Sequence, residues 1–272
     1  MPKSTESSPA PAASPAVAVA VPNYEVKMFL DSAKVLTVEF KPTKDADRVF
    51  NLTHPSRKIT MQFLDARPHQ LHQEGWNVRL RRFDGTGEVE LSYKRRYRIA
   101  ADEPFAEALA KAAHDGFTAA EKDYAAQVEW GFERQRLSFT RKKLLKAKGL
   151  GELELPGLAD TRAVVVRELP GKLDRQKQAG WARGLLTDGH LYGPVLGKRY
   201  AGQWQGPDLD FEVWLVRTES GQGVEPVVEL SFKADERADA GGFRDKLLHF
   251  VRDHGWLLET DVLKTDMILK RY

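Results

Sequence analysis

The sequence predicts an α+β fold: an antiparallel, eight-stranded tunnel barrel with a charged lumen and helices packed outside. Three observations carry that expectation. Most of the chain from Asn23 onward alternates apolar and polar residues with period two, the mark of strands with one covered face. A V-E-L-S-aromatic-Lys strand occurs twice, as EVELSYK from Glu88 and as VVELSFK from Val227, each time on the return of a hairpin. The polar faces of the strands are rich in Arg and Lys, and helical stretches are available to cover the apolar faces. A barrel of about eight strands packed from outside by helices leaves a lumen wide enough for a single ligand.

The elements follow in order. NYEVKMFL (23–30) sets Tyr24, Val26, Met28 and Leu30 against Asn23, Glu25 and Lys27. KITMQFLDA (58–66) is a second strand, and WNVRLRR (76–82) places Trp76, Val78 and Leu80 opposite Asn77, Arg79 and Arg81. FDGTG turns the chain into EVELSYKRRYR, where Val89, Leu91 and Tyr93 oppose Glu88, Glu90, Ser92, Lys94, Arg96 and Arg98. The Ala-rich stretch 102–126 reads as helix. FERQRLSFTRKK (132–143) reads as a strand, with Arg134, Arg136, Ser138, Thr140 and Lys142 on one face. Residues 158–189 read as mostly helical, and 195–204 and 210–217 as strands before the second copy of the repeat. An amphipathic helix is expected over 242–258, and TDMILKRY reads as a closing strand.

Composition narrows the function classes. The 272 residues contain no cysteine, which excludes disulfides and thiolate metal sites. The net charge of +3 gives no bulk reason to expect a nucleic-acid partner, so any basic site must come from local arrangement. No stretch approaches the roughly 20 apolar residues of a membrane helix. The first 22 residues hold five Pro, six Ala and four Ser and read as a disordered leader before a single domain over 23–272. The AVAVAV at 16–21 is short, Pro-flanked and without a basic segment before it, so a cytoplasmic location is expected rather than export.

Two readings of the charged faces compete. They face water in an ordinary half-solvated sheet, or they line a lumen. Buried in a lumen, so many cations need an anion of matching density, and Arg forks suit phosphate oxygens. Glu25, Glu90, Glu212 and Glu229 are too few to neutralise them but suited to a hard divalent cation.

Several segments resemble the CYTH superfamily, the triphosphate tunnel metalloenzymes. NYEVKMFLD is similar to the opening ExExK strand, and QFLDARPHQLHQEGWNVRLRR to the passage that leads into the basic strand. EVELSYKRR and VVELSFK resemble the T-x-K and late ExE strands, and LKTDMILKRY the family ending. LYGPVLGKRYAGQW (191–204) looks rather like the related VTC polyphosphate polymerases. The resemblance spans about residues 23–272. It implies a tunnel that grips a triphosphate or polyphosphate ligand, with Mg²⁺ or Mn²⁺ as cofactor. Carried over, Lys27, Arg79, Arg81 and Lys94 would be catalytic, and Arg96, Arg134, Arg136, Lys198, Arg199 and Lys233 would bind substrate. Glu25, Glu212 and Glu229 would hold the metal. The implied activity is metal-dependent hydrolysis of inorganic tripolyphosphate or of a nucleoside or thiamine triphosphate. A non-catalytic polyphosphate- or nucleotide-binding tunnel, an adenylate cyclase and a polyphosphate polymerase are the alternatives. Asn23 and Ser231 stand where the family pattern has glutamates, which leaves one carboxylate in each metal pair and should weaken metal binding. His54, His69 and His72 fit no metal-ligand spacing. Trp76, Trp204 and Trp214 are available either to stack on a base or to pack the core.

Overall fold

The computed structural model describes residues 18–100 and 103–272. The expected leader therefore lies largely outside the described residues. At its end, Val19 bridges Thr118 and Ala20 is buried.

The chain opens with β1 (Asn23–Leu30), α1 (Ser32–Val35), α2 (Lys44–Phe50) and β2 (Arg57–Asp65), then α3 (Gln70–Gln73) and the hairpin β3 (Trp76–Phe83), β4 (Glu88–Ile99). It continues through α4 (Phe105–His114), β5 (Ala125–Trp130) and β6 (Gln135–Lys146) to a helical segment, α5 (Leu158–Arg167), α6 (Gly171–Asp174) and α7 (Trp181–Thr187). The last part holds β7 (His190–Gln203), β8 (Asp208–Arg217), β9 (Val224–Ala234), α8 (Arg237–Asp253), the two-residue β10 (Leu257–Leu258) and α9 (Lys264–Arg271).

The sheet order is β1-β5-β6-β4-β3-β2-β7-β8-β9, and β9 pairs back onto β1 to close the barrel. The tunnel barrel expected from the sequence is thus present, with nine closing strands among the described residues rather than eight. β5 is the addition. It inserts beside β1 in a parallel pairing, with Glu25 opposite Glu129, whereas the other ladders are antiparallel. The Ala-rich stretch read as helix ends early because Gly116 takes a left-handed φ of 85° directly after α4, a conformation that glycine adopts without strain. The amphipathic helix has the expected length but lies five residues earlier, since α8 begins at Arg237 and stops at Asp253, and Leu257–Leu258 pair with β1.

The larger core cluster lies outside the barrel. Val26, Met28 and Leu30 of β1, Val78 and Leu80 of β3 and Leu91 of β4 pack there with Ala108, Val165, Leu186, Leu247 and Val251 of the helices. Strand alternation therefore sends the opposite residues inward. A second, smaller cluster sits on the lumen side of β2, β7 and β8, and it corrects one expectation. TDMILKRY is the helix α9, whose Ile268 and Leu269 pack with Met61, Phe63 and Trp214. The buried residues Thr265, Ile268 and Leu269 follow helical spacing, and Lys270 and Arg271 fall in the last turn, where cations suit the helix dipole. One helix thus packs inside the barrel mouth rather than outside it.

Candidate active site

The lumen is a cavity of about 280 Å³, lined by ten basic side chains and six carboxylates. Lys27, Arg79, Arg81, Lys94, Arg96, Arg136, Arg199 and Lys233 of the expected set all reach it, joined by Lys142 and Lys264. Two expected residues do not. Arg134 is exposed in the turn before β6, where its backbone N–H donates to Asp261. Lys198 points to the outer face beside Lys58 and Leu215, because it alternates with Arg199 along β7.

Four carboxylates organise the cations. Glu90 on β4 receives Arg81 at 2.9 Å, Arg79 at 3.3 Å and Lys142 at 3.5 Å. Glu25 pairs with Lys27 two residues along β1, at 2.9 Å. Glu129 on β5 accepts from Lys94 and, at 2.9 Å, from Arg96 Nε. Glu212 accepts from Arg199 Nε at 2.8 Å, from Trp214 Nε1 at 2.8 Å and from Lys264 at 2.7 Å. The two copies of the repeated strand are β4 and β9. Each carries a glutamate and, four residues on, a lysine on one face: Glu229 and Lys233 line the cavity with Lys94, while Glu90 lies behind Arg79 and Arg81, which it pairs with.

Burial and charge set the protonation states. Burial pushes the Glu129 carboxyl up, but Arg96, Lys94 and Lys27 together hold it well below the usual range. Burial also opposes ionisation of Glu212, and Lys264 and Arg199 reverse that effect. Lys94 goes the other way. Desolvation outweighs the pull of Glu129, with Arg96 and Lys27 adding repulsion, and its ammonium titrates at about 8. Desolvation and the neighbouring Arg79 lower Arg81 to about 10 despite Glu90. The buried Nε of Arg79, Nε of Arg81 and Nη1 of Arg96 have no protein acceptor. A buried donor without a partner is costly, so these three atoms are unsatisfied polar groups in the wall of the lumen.

The expected divalent cation does not fit the three glutamates. Glu25 is engaged by Lys27, Lys264 lies between Glu212 and Glu229, and Asn23 and Ser231 add no charge. Among the described residues, no three His, Asp or Glu side chains converge as a cation site.

Sequence reasoning missed Glu129 and Lys264. In AAQVEW the alternation around Val128 was the available signal for β5 and its inward Glu129. Nothing local marks Lys264, which reaches Glu212 only through the placement of α9. His72, given no chemical role from its spacing, holds that helix: its Nε2 lies 3.0 Å from Asp266 Oδ1. Trp76 and Trp204 are core residues, while Trp214 lines the lumen.

This geometry defines a tunnel barrel whose lumen holds more cationic side chains than carboxylates. Its fold is that of known tunnel proteins. HpAC1 from Hippeastrum, described as an adenylyl cyclase candidate with a dominant triphosphatase activity, superposes with a TM-score of 0.53 at 12% identity, over 91% of this chain and 99% of that one. An adenylate cyclase candidate from Bacillus halodurans gives a TM-score of 0.48 at 8% identity, covering 91% and 94% of the two chains. A protein from Pyrococcus horikoshii OT3 gives 0.43 at 12% identity, covering 90% and 98%. The likeness to HpAC1 establishes the fold, the one that the CYTH resemblance implies. No protein-family model matches the sequence, and no curated protein does.

Proposed function

We propose that the tunnel binds the triphosphate or polyphosphate class of anion, gripping successive phosphates between the Arg79–Arg81–Lys142 group and the Lys94–Arg96–Arg136 group. The observation that carries this reading is the set of unpartnered, buried guanidinium donors on Arg79, Arg81 and Arg96 in a lumen where cations outnumber carboxylates. Charge-assisted bonds to phosphate oxygens would satisfy those donors and the excess charge together. The lumen sits at the small end of ligand pockets, roughly 300 Å³, which favours an inorganic chain or the phosphate end of a larger molecule over a whole nucleotide. Packing of Trp76 and Trp204 in the core removes two of the three candidate base-stacking surfaces.

Hydrolysis of the bound anhydride is the second reading, favoured by the triphosphatase activity of HpAC1 on a shared fold. On this chain it would rest on the side chains themselves. Arg79, Arg81 and Lys94 would stabilise charge on the transferred phosphoryl group, since positioning and electrostatics supply most of such catalysis.

The deciding experiment is calorimetric titration with tripolyphosphate in EDTA, alongside phosphate release with and without Mg²⁺ and Mn²⁺. Salt-sensitive binding without turnover supports a receptor, and binding with phosphate release supports the enzyme. No binding at any ionic strength sinks both readings.

A further inference from the structure

Glu212 and Glu229 are direct cross-strand partners on β8 and β9, and both are buried, at 4% and 6% exposure. Two carboxylates placed opposite each other repel, burial strengthens the repulsion, and a cation between them relieves it while both stay ionised. Lys264, the first residue of α9, supplies it. Its Nζ is 2.7 Å from Glu212 Oε2 and 3.3 Å from Glu229 Oε1.

The remaining surroundings suit an ammonium and not a metal ion. Lys264 Nζ lies 4.2 Å from the centre of the Trp214 ring, a cation–π contact that offers no oxygen ligand. While Lys264 is in place, Glu212 has no acceptor position left for a metal. Its Oε1 receives the Arg199 fork, and its Oε2 receives Trp214 Nε1 as well as Lys264. A hard divalent cation needs several free oxygens.

We propose that the Lys264 ammonium takes the place of a divalent cation between Glu212 and Glu229, as a counter-charge tethered to the chain by α9. Where the tunnel binds phosphate as proposed above, it then does so without a metal. Removal of Lys264 opens a metal site that the wild-type chain lacks.

The test is titration of the apo protein with Mn²⁺ alone, followed by electron paramagnetic resonance. Wild-type protein shows no saturable Mn²⁺ site. Lys264→Met keeps an apolar stem over Trp214, removes the charge, and gains a saturable Mn²⁺ site through the freed Glu212 Oε2 and Glu229 Oε1. Adding Glu229→Gln to that variant abolishes the gain. A saturable site in wild type, or a folded Lys264→Met protein without one, overturns the proposal. If the variant does not fold, the wild-type titration decides alone: silence supports the proposal and saturation overturns it. Tripolyphosphate is absent throughout, so the result bears on Lys264 even if the chain binds no phosphate.

Discussion

Lys94 on β4 reaches Glu129 on β5 across the strand that separates them. β6 lies between, with Thr140 opposite both Lys94 and Ala125 in the two ladders. Barrel curvature allows this, since side chains on a concave face converge. Groups separated by a strand thus share one ion pair, and this link joins direct cross-strand pairs such as Arg81–Glu90 and Arg199–Glu212 in the charge pattern of the lumen.

The first consequence is a pH dependence of anion binding. Burial, with Arg96 and Lys27 nearby, lowers Lys94 to about 8, with Glu129 and Glu25 pulling the other way. Below that value the ammonium is charged and available to an anion. Above it the free protein loses that charge, while a bound polyanion favours its return. Affinity for tripolyphosphate should therefore fall between about pH 7 and 9, with proton uptake on binding. Calorimetry in buffers of different ionisation enthalpy measures that uptake, and Lys94→Arg should flatten the pH profile. A wild-type profile that is level through pH 8 refutes the assignment.

Glu129→Gln should trade stability for affinity. The substitution leaves Lys94 and Arg96 buried without their carboxylate, and breaking one side of a buried pair costs about 3–5 kcal/mol. Urea unfolding should show a loss of that order, and tripolyphosphate should restore more stability to the variant than to wild type, since it replaces the missing charge. Equal unfolding midpoints for the two proteins would remove Glu129 from the network.

The basic residues divide into two groups that one binding series can separate. Arg79→Ala and Arg81→Ala each remove lumen donors, and a charge-assisted bond contributes about 1.5–3 kcal/mol, so affinity should drop roughly 10- to 100-fold. Arg134→Ala and Lys198→Ala remove equal charge from outside the lumen and should leave affinity within about twofold at physiological salt, where exposed charges are screened. Equal losses in all four variants would mean that general surface charge, not the lumen, attracts the anion.

The residues explain why some of this site was legible in the sequence and some was not. Arg79, Arg81, Lys94, Arg96 and Arg199 were readable because period-two alternation assigns faces strand by strand. Arg134 failed because alternation was extended three residues beyond the start of β6, into a turn that Asp261 caps through backbone N–H groups. Lys198 failed because KR places adjacent cations on opposite faces, and choosing between them needs the register with β8. Lys264 was out of reach because its partners are 52 and 35 residues away, and only tertiary packing of α9 brings them together.

Gly197 tests how firmly the Trp214–Glu212–Lys264 group is held. It lies opposite Trp214 in the β7–β8 ladder, and a Cβ at that position would meet the indole at 2.6 Å. The ring cannot yield easily. Its Nε1 donates to Glu212 and its face carries Lys264, so moving it disturbs both contacts. Gly197→Ala should therefore destabilise the fold by about 1–3 kcal/mol, as overpacking in a filled space does, although its backbone angle is open to any residue. The same substitution at Gly87, where a Cβ meets nothing within 4 Å, should be close to neutral. Thermal unfolding of the two variants provides the comparison, with Trp fluorescence reporting displacement of the ring. If Gly197→Ala unfolds with wild type and its fluorescence is unchanged, the indole is free to move, and the cation–π contact does not fix Lys264 in place.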